Sequence, residues 1–135
     1  MIETEKQYRL PKWFADKWLE ALESGEYKQA KEALKRNLYD DYNFHRPVGI
    51  GYCCMGVAGL VCGMHSHNLY GDYLNSNNTK GYRVPKELMW WEHNNYNDLS
   101  NMLSFLNDDK GFTFHQIAQW VRDNVEIYEE EESGT

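Results

Sequence analysis

Proline and cysteine are scarce in this chain of 135 residues, with three of each, and basic residues are outnumbered. Three cysteines (Cys53, Cys54, Cys62) are too few, and an odd number, for a disulfide scaffold. Fourteen Lys and Arg against twenty-one Asp and Glu give a formal net charge of −7. That balance lacks the basic footprint of direct DNA binding. Five of the carboxylates, Glu126 and Glu129 to Glu132, lie near the end and leave the rest nearly neutral. The opening Met1-Ile2-Glu3-Thr4-Glu5-Lys6 has no basic-then-apolar signal pattern. The one long uncharged run, residues 47–64, starts at a proline and holds five glycines. It reads as a buried helix rather than a membrane span. Free thiols and no export signal predict a reducing cytoplasm, the host's if the protein is viral.

Aromatic residues are abundant, with five Trp, ten Tyr and five Phe, enough apolar area for one core. Pro11 suits a helix start, and Leu10, Phe14, Trp18, Ala21 and Leu22 recur near helical spacing until Ser24-Gly25. Tyr27, Ala30, Leu34 and Leu38 predict a second helix, closing a helical hairpin, with Lys28, Lys31 and Lys35 on its solvated face. Residues 40–47 read as a polar turn. Residues 52–62 are apolar or small on every side, and their glycines predict close approach of another backbone at Gly56 or Gly59. Residues 65–97 form a long irregular insertion rich in Asn, Gly and Tyr, with a candidate strand over 81–84 that could pair with 48–52. Leu99, Met102, Leu103 and Leu106 mark a third helix. Thr113 with Gln116 forms a capping box for a last helix through Phe114, Ile117, Ala118, Val121 and Val125. The expected fold is mainly α: one helical domain over residues 1–125 around a buried central helix, with a two-stranded ribbon as the α+β variant. A flexible acidic tail is expected over residues 126–135.

The segment Tyr52-Cys53-Cys54-Met55-Gly56-Val57 resembles the Tyr-Cys-Cys-Leu-Gly-Val motif of small proteins encoded by bacteriophages and prophages. Upstream, the run from Trp18 to Gly25 followed by Glu26-Tyr27-Lys28-Gln29 is similar to their opening helix. Downstream, Leu106-Asn107-Asp108 and the run from Gly111 to Val121 are similar to their closing helices. These pieces cover roughly half of the chain. Met55 stands where Leu is usual, and residues 64–97 have no counterpart. The resemblance implies a viral origin and no particular reaction. By class, it implies a non-catalytic host-takeover or anti-defence factor that binds a host protein or sequesters a signalling nucleotide, with no cofactor.

Three candidate sites follow. Tyr70, Tyr73, Tyr82, Trp90, Trp91 and Tyr96 suit a contact surface, because aromatics beside Asn and Gly combine apolar area with adaptable hydrogen bonding. Cys54 at a helix start, His115 and Asn107 form the alternative of a Cys/His-dependent hydrolase or transferase. Packing of Cys53 and Cys54 as small hydrophobes competes with it. Cys62, His65 and His67 are the alternative metal ligands, since Cys54 lies two helical turns from Cys62, too far to share one ion.

Overall fold

The computed structural model describes residues 8–40, 43–90 and 98–129. Strand β1 (Tyr8–Pro11) runs directly into helix α1 (Lys12–Glu23). Pro11 is extended at φ −73° and ψ 142° and is the last strand residue as well as the helix N-cap. The missing proline N–H costs nothing at that junction. Phe14, Ala15, Trp18, Leu19 and Leu22 form the buried stripe of α1. The helix stops at Ser24, whose hydroxyl donates to the Ala21 carbonyl at 2.7 Å, and Gly25 follows at φ +78°. The left-handed conformation there is one that glycine adopts without a Cβ clash.

After Gly25 the chain departs from the expected second helix. It forms β2 (Lys28–Gln29), a loop over residues 30–34, β3 (Lys35–Asp40) and β4 (Asn43–Tyr52). These make a three-stranded sheet of order β2-β4-β3, with β2 parallel and β3 antiparallel to β4. Glu32 sits at φ +68°, which no helix accommodates, and its amide is held by the Asp108 carboxylate at 2.9 Å. The Tyr27, Ala30, Leu34 and Leu38 spacing is therefore not a helical face. Ala30 and Leu34 are buried in a loop, and Leu38 lies over Gly51 of β4. Lys28, Lys31 and Lys35 fall on two strands and a loop rather than on one helix surface.

The mainly helical fold is thus overturned: this is a mixed α/β architecture of four helices and two sheets among the described residues. The second sheet joins β1 to β5 (Val125–Tyr128) in parallel, with Tyr8 opposite Val125 and Pro11 opposite Tyr128. Glu126 to Tyr128, expected in the acidic tail, are consequently ordered strand residues. Residues 81–84 form no strand, and 48–52 pair with β2 and β3 instead.

Helix α2 (Cys54–Val61) is buried from Cys54 to Gly59. Gly56 faces the Leu34 backbone and Gly59 faces the Leu69 and Met64 side chains, so both glycines mark close approach. The Trp18 indole donates to the Cys54 carbonyl at 3.0 Å and ties α1 to α2. Residues 62–90 wrap this core with two short 3-10 turns, Ser66–Asn68 and Lys86–Leu88. Helices α3 (Asp98–Asp108) and α4 (Phe114–Asn124) close it. Thr113 and Gln116 form the reciprocal box expected at the start of α4, with bonds of 3.2 and 2.8 Å.

Candidate functional site

The motif pieces meet at one buried node. The Asn107 side chain, wholly buried at the end of α3, accepts from the Cys54 amide at 3.2 Å and from Gln29 Nε2 at 2.9 Å. Its own amide donates to the Ala30 carbonyl and to Asp108 Oδ1, both at 2.8 Å. Gln29 Nε2 also reaches the Phe112 carbonyl at 2.7 Å. Helix α2 has no capping side chain at Cys53, so Asn107 supplies the missing acceptor from another helix. One side chain thereby fixes β2, α2 and the α3–α4 connection. Its bonds are satisfied within the fold, and its task there is structural.

Of the three residues of the hydrolase alternative, Cys54 and Asn107 are fully buried and His115 is exposed. The Cys54 thiol is fully buried and points to the Leu103 carbonyl at 3.6 Å. Burial pushes its pKa well up, with smaller contributions from Cys53 and Asp108. His115 is exposed on α4. It lies within electrostatic reach of Glu23, whose carboxyl the Arg122 guanidinium holds below the usual range. Asn107 contacts Cys54 through the backbone amide and leaves the sulfur alone. Burial pushes Cys53 up to about 11 and Cys62 up to about 12. A thiol poised for attack needs the opposite shift.

The alternative metal ligands do not assemble either. Among the described residues no group of three His, Cys, Asp or Glu could hold an ion. His65 and His67 stack on each other, with ring centroids 5.4 Å apart and planes 11° from parallel. Cys62, the residue that ends α2, is half-buried and packs against the core.

Of the six proposed contact aromatics, the structure describes four. Tyr73 and Trp90 stack on each other at 5.5 Å, half-buried. The Tyr82 hydroxyl accepts from Asn68 at 3.0 Å and from the His65 amide at 3.4 Å. These three serve the insertion's own order. Its polar core is Asn78, which is buried and donates to the Tyr70 and Tyr73 carbonyls at 3.2 and 2.9 Å. Tyr70 is exposed. Trp91 and Tyr96 lie outside the described residues.

A different surface stands out. Beyond Gly51, β3 and β4 continue as a two-stranded ribbon without β2. Asn37, opposite Ile50, shares a face with Tyr39, two residues along. The register then shifts, leaving Val48 as an extra residue in β4 between the Leu38–Gly49 and Tyr39–Pro47 pairs. Tyr39, Val48 and Ile50 are all exposed, and Val48 most of all, at 54%. The sequence carried a signal for this face, since Val48-Gly49-Ile50-Gly51-Tyr52 alternates with period two. Glycines at the alternate positions leave room for Lys28 over Gly49 and Leu38 over Gly51.

No helix among the described residues is long and apolar enough to cross a membrane. No protein-family model, curated protein or solved structure matches the chain.

Proposed function

We propose that this chain is a non-catalytic binding protein that grips a protein partner through the exposed face of the β3–β4 ribbon. The observation that carries this reading is the placement of Tyr39, Val48 and Ile50, exposed together on a two-stranded ribbon. Such a ribbon is marginal by itself in water, and apolar side chains exposed on it gain from a partner. Buried thiols with raised pKa values weigh against a nucleophilic enzyme. The resemblance to phage proteins supplies the setting: a host factor as the partner, in the host cytoplasm, with interference as the outcome. Tyr70 extends the contact from the 65–97 insertion.

The test is capture from host lysate by wild type and by Val48→Asp/Ile50→Asp, with folding verified by circular dichroism. The expected result is a specific host protein retained by wild type and lost with the double variant. Retention by the double variant together with loss on Tyr70→Ala would move the surface into the insertion. Hydrolytic or transfer activity abolished by Cys54→Ser in a folded protein would overturn the binding reading.

A further inference from the structure

We propose that His65 and His67 together bind one divalent transition-metal ion, copper(II) most tightly, as a two-imidazole chelate on the turn that follows α2. Both side chains are exposed, with ring centroids 5.4 Å apart and planes 11° from parallel. An ion bonded to two imidazole nitrogens at about 2.0–2.1 Å holds those nitrogens about 3 Å apart. Near-parallel rings at this spacing present their edges side by side. Rotation about the broad terminal torsion of histidine brings two nitrogens within that reach, and the backbone of the turn need not move.

Three side chains fasten that turn. Lys35 and Tyr52 are opposite each other at the base of the β3–β4 ribbon, and both reach Ser66, the residue between the two histidines. Lys35 Nζ donates to the Ser66 carbonyl at 2.9 Å, and the Tyr52 hydroxyl lies 3.4 Å from Ser66 Oγ. Tyr82 meets the His65 ring in a T-shaped contact at 6.5 Å, and its hydroxyl accepts from the His65 amide and from Asn68. Donors held in place beforehand lose less freedom when an ion arrives. Imidazole suits copper, nickel and zinc, and copper(II) heads the affinity order, whereas magnesium and calcium prefer oxygen. Cys62 does not join the pair. It packs against the core, and burial raises its thiol to about 12, while a metal takes the thiolate. Two protein ligands leave the remaining positions to water, in keeping with the lack of any three-ligand group among the described residues. The Lys35 ammonium opposes a second positive charge nearby, which keeps the expected affinity modest. This site goes beyond the partner-binding reading and does not depend on it.

Isothermal titration calorimetry of the full chain with copper(II) chloride tests the chelate, with electron paramagnetic resonance of the copper-loaded protein beside it. Wild type is expected to take up one equivalent at micromolar affinity, with a spectrum showing two imidazole nitrogens on the copper. His65→Ala and His67→Ala are each expected to weaken that equivalent by about tenfold or more, because a single imidazole gives up the chelate. Both positions are exposed, so circular dichroism should report an unchanged fold in either variant. Cys62→Ser is expected to bind copper as wild type does. A wild type that takes up no copper(II), undiminished uptake in both histidine variants, or loss of uptake in a folded Cys62→Ser variant would each overturn the proposal.

Discussion

Gly56 lies against the backbone carbonyl of Leu34, so closely that a Cβ added to the glycine would overlap that oxygen. The loop over residues 30–34 is thereby seated on helix α2 by backbone rather than by side chains. Helix propensity alone would favour alanine at this position by about 1 kcal/mol. The overlap reverses the sign, because a carbonyl in a packed loop cannot swing aside as a flexible side chain can. Gly56→Ala is expected to lower the unfolding free energy by about 3 kcal/mol, read as a lower urea midpoint.

Asn107 carries a comparable burden through hydrogen bonds. Replacing it with Ala strands the Cys54 amide and the Ala30 carbonyl and frees the Gln29 side chain from one of its two acceptors. Unsatisfied buried groups cost about 1–3 kcal/mol each. A loss of about 3 kcal/mol is expected for Asn107→Ala in denaturant titration. Asn107→Asp keeps the acceptor and removes the donor to Ala30, so its loss is also expected to be large.

Ser100 offers the opposite case. Its hydroxyl is fully buried on α3 and has no hydrogen-bond partner among the described residues. Ser100→Ala removes a desolvated polar group and improves helix propensity. The expected outcome is a gain of about 1 kcal/mol, measured as an upward shift of the thermal midpoint.

The thiols give a pH signature. Burial raises Cys53 from an ordinary 9.0 to about 11, so the folded state holds its proton where the unfolded state releases it. Stability from this group is complete below pH 9 and is lost as pH rises towards 11. Denaturation midpoints of wild type should fall across that window more steeply than those of Cys53→Ala. At neutral pH, Cys53 and Cys54 in the folded protein should resist iodoacetamide and react once urea unfolds it.

Much of the helical framework was legible because its signals are local. Phe14, Trp18 and Leu22 repeat at four-residue spacing, and Thr113 with Gln116 announces the start of α4. The segment after Gly25 misled for a physical reason. Ala30, Leu34 and Leu38 satisfy helical spacing, yet their places are set by long-range contacts rather than by one helical face. Leu38 finds its seat over Gly51, and the Ala30 carbonyl finds Asn107, seventy-seven residues away in sequence. The left-handed Glu32 gave no sequence warning, since glycine or asparagine is the usual occupant of that conformation. The node was half visible: the motif pieces were apparent in Tyr52-Cys53-Cys54 and Leu106-Asn107-Asp108, but spacing could not show that they touch. The candidate surface was displaced from the insertion to the ribbon because Tyr73, Tyr82 and Trp90 spend their faces and hydroxyls on neighbours.

The parallel pairing of β1 with β5 has a mechanical consequence. Pulling the chain apart from its two ends would drag Tyr8 and Tyr128 in opposite directions along the shared strand axis. The load then falls across the inter-strand bonds in shear, all at once, instead of peeling them one after another. Arg9 reinforces this latch by resting over the Tyr128 ring at 4.3 Å and meeting Glu126 at 3.4 Å. Tension on the two ends would therefore be resisted at a clamp formed by β1 and β5, while the core behind it stays unloaded until that clamp gives way.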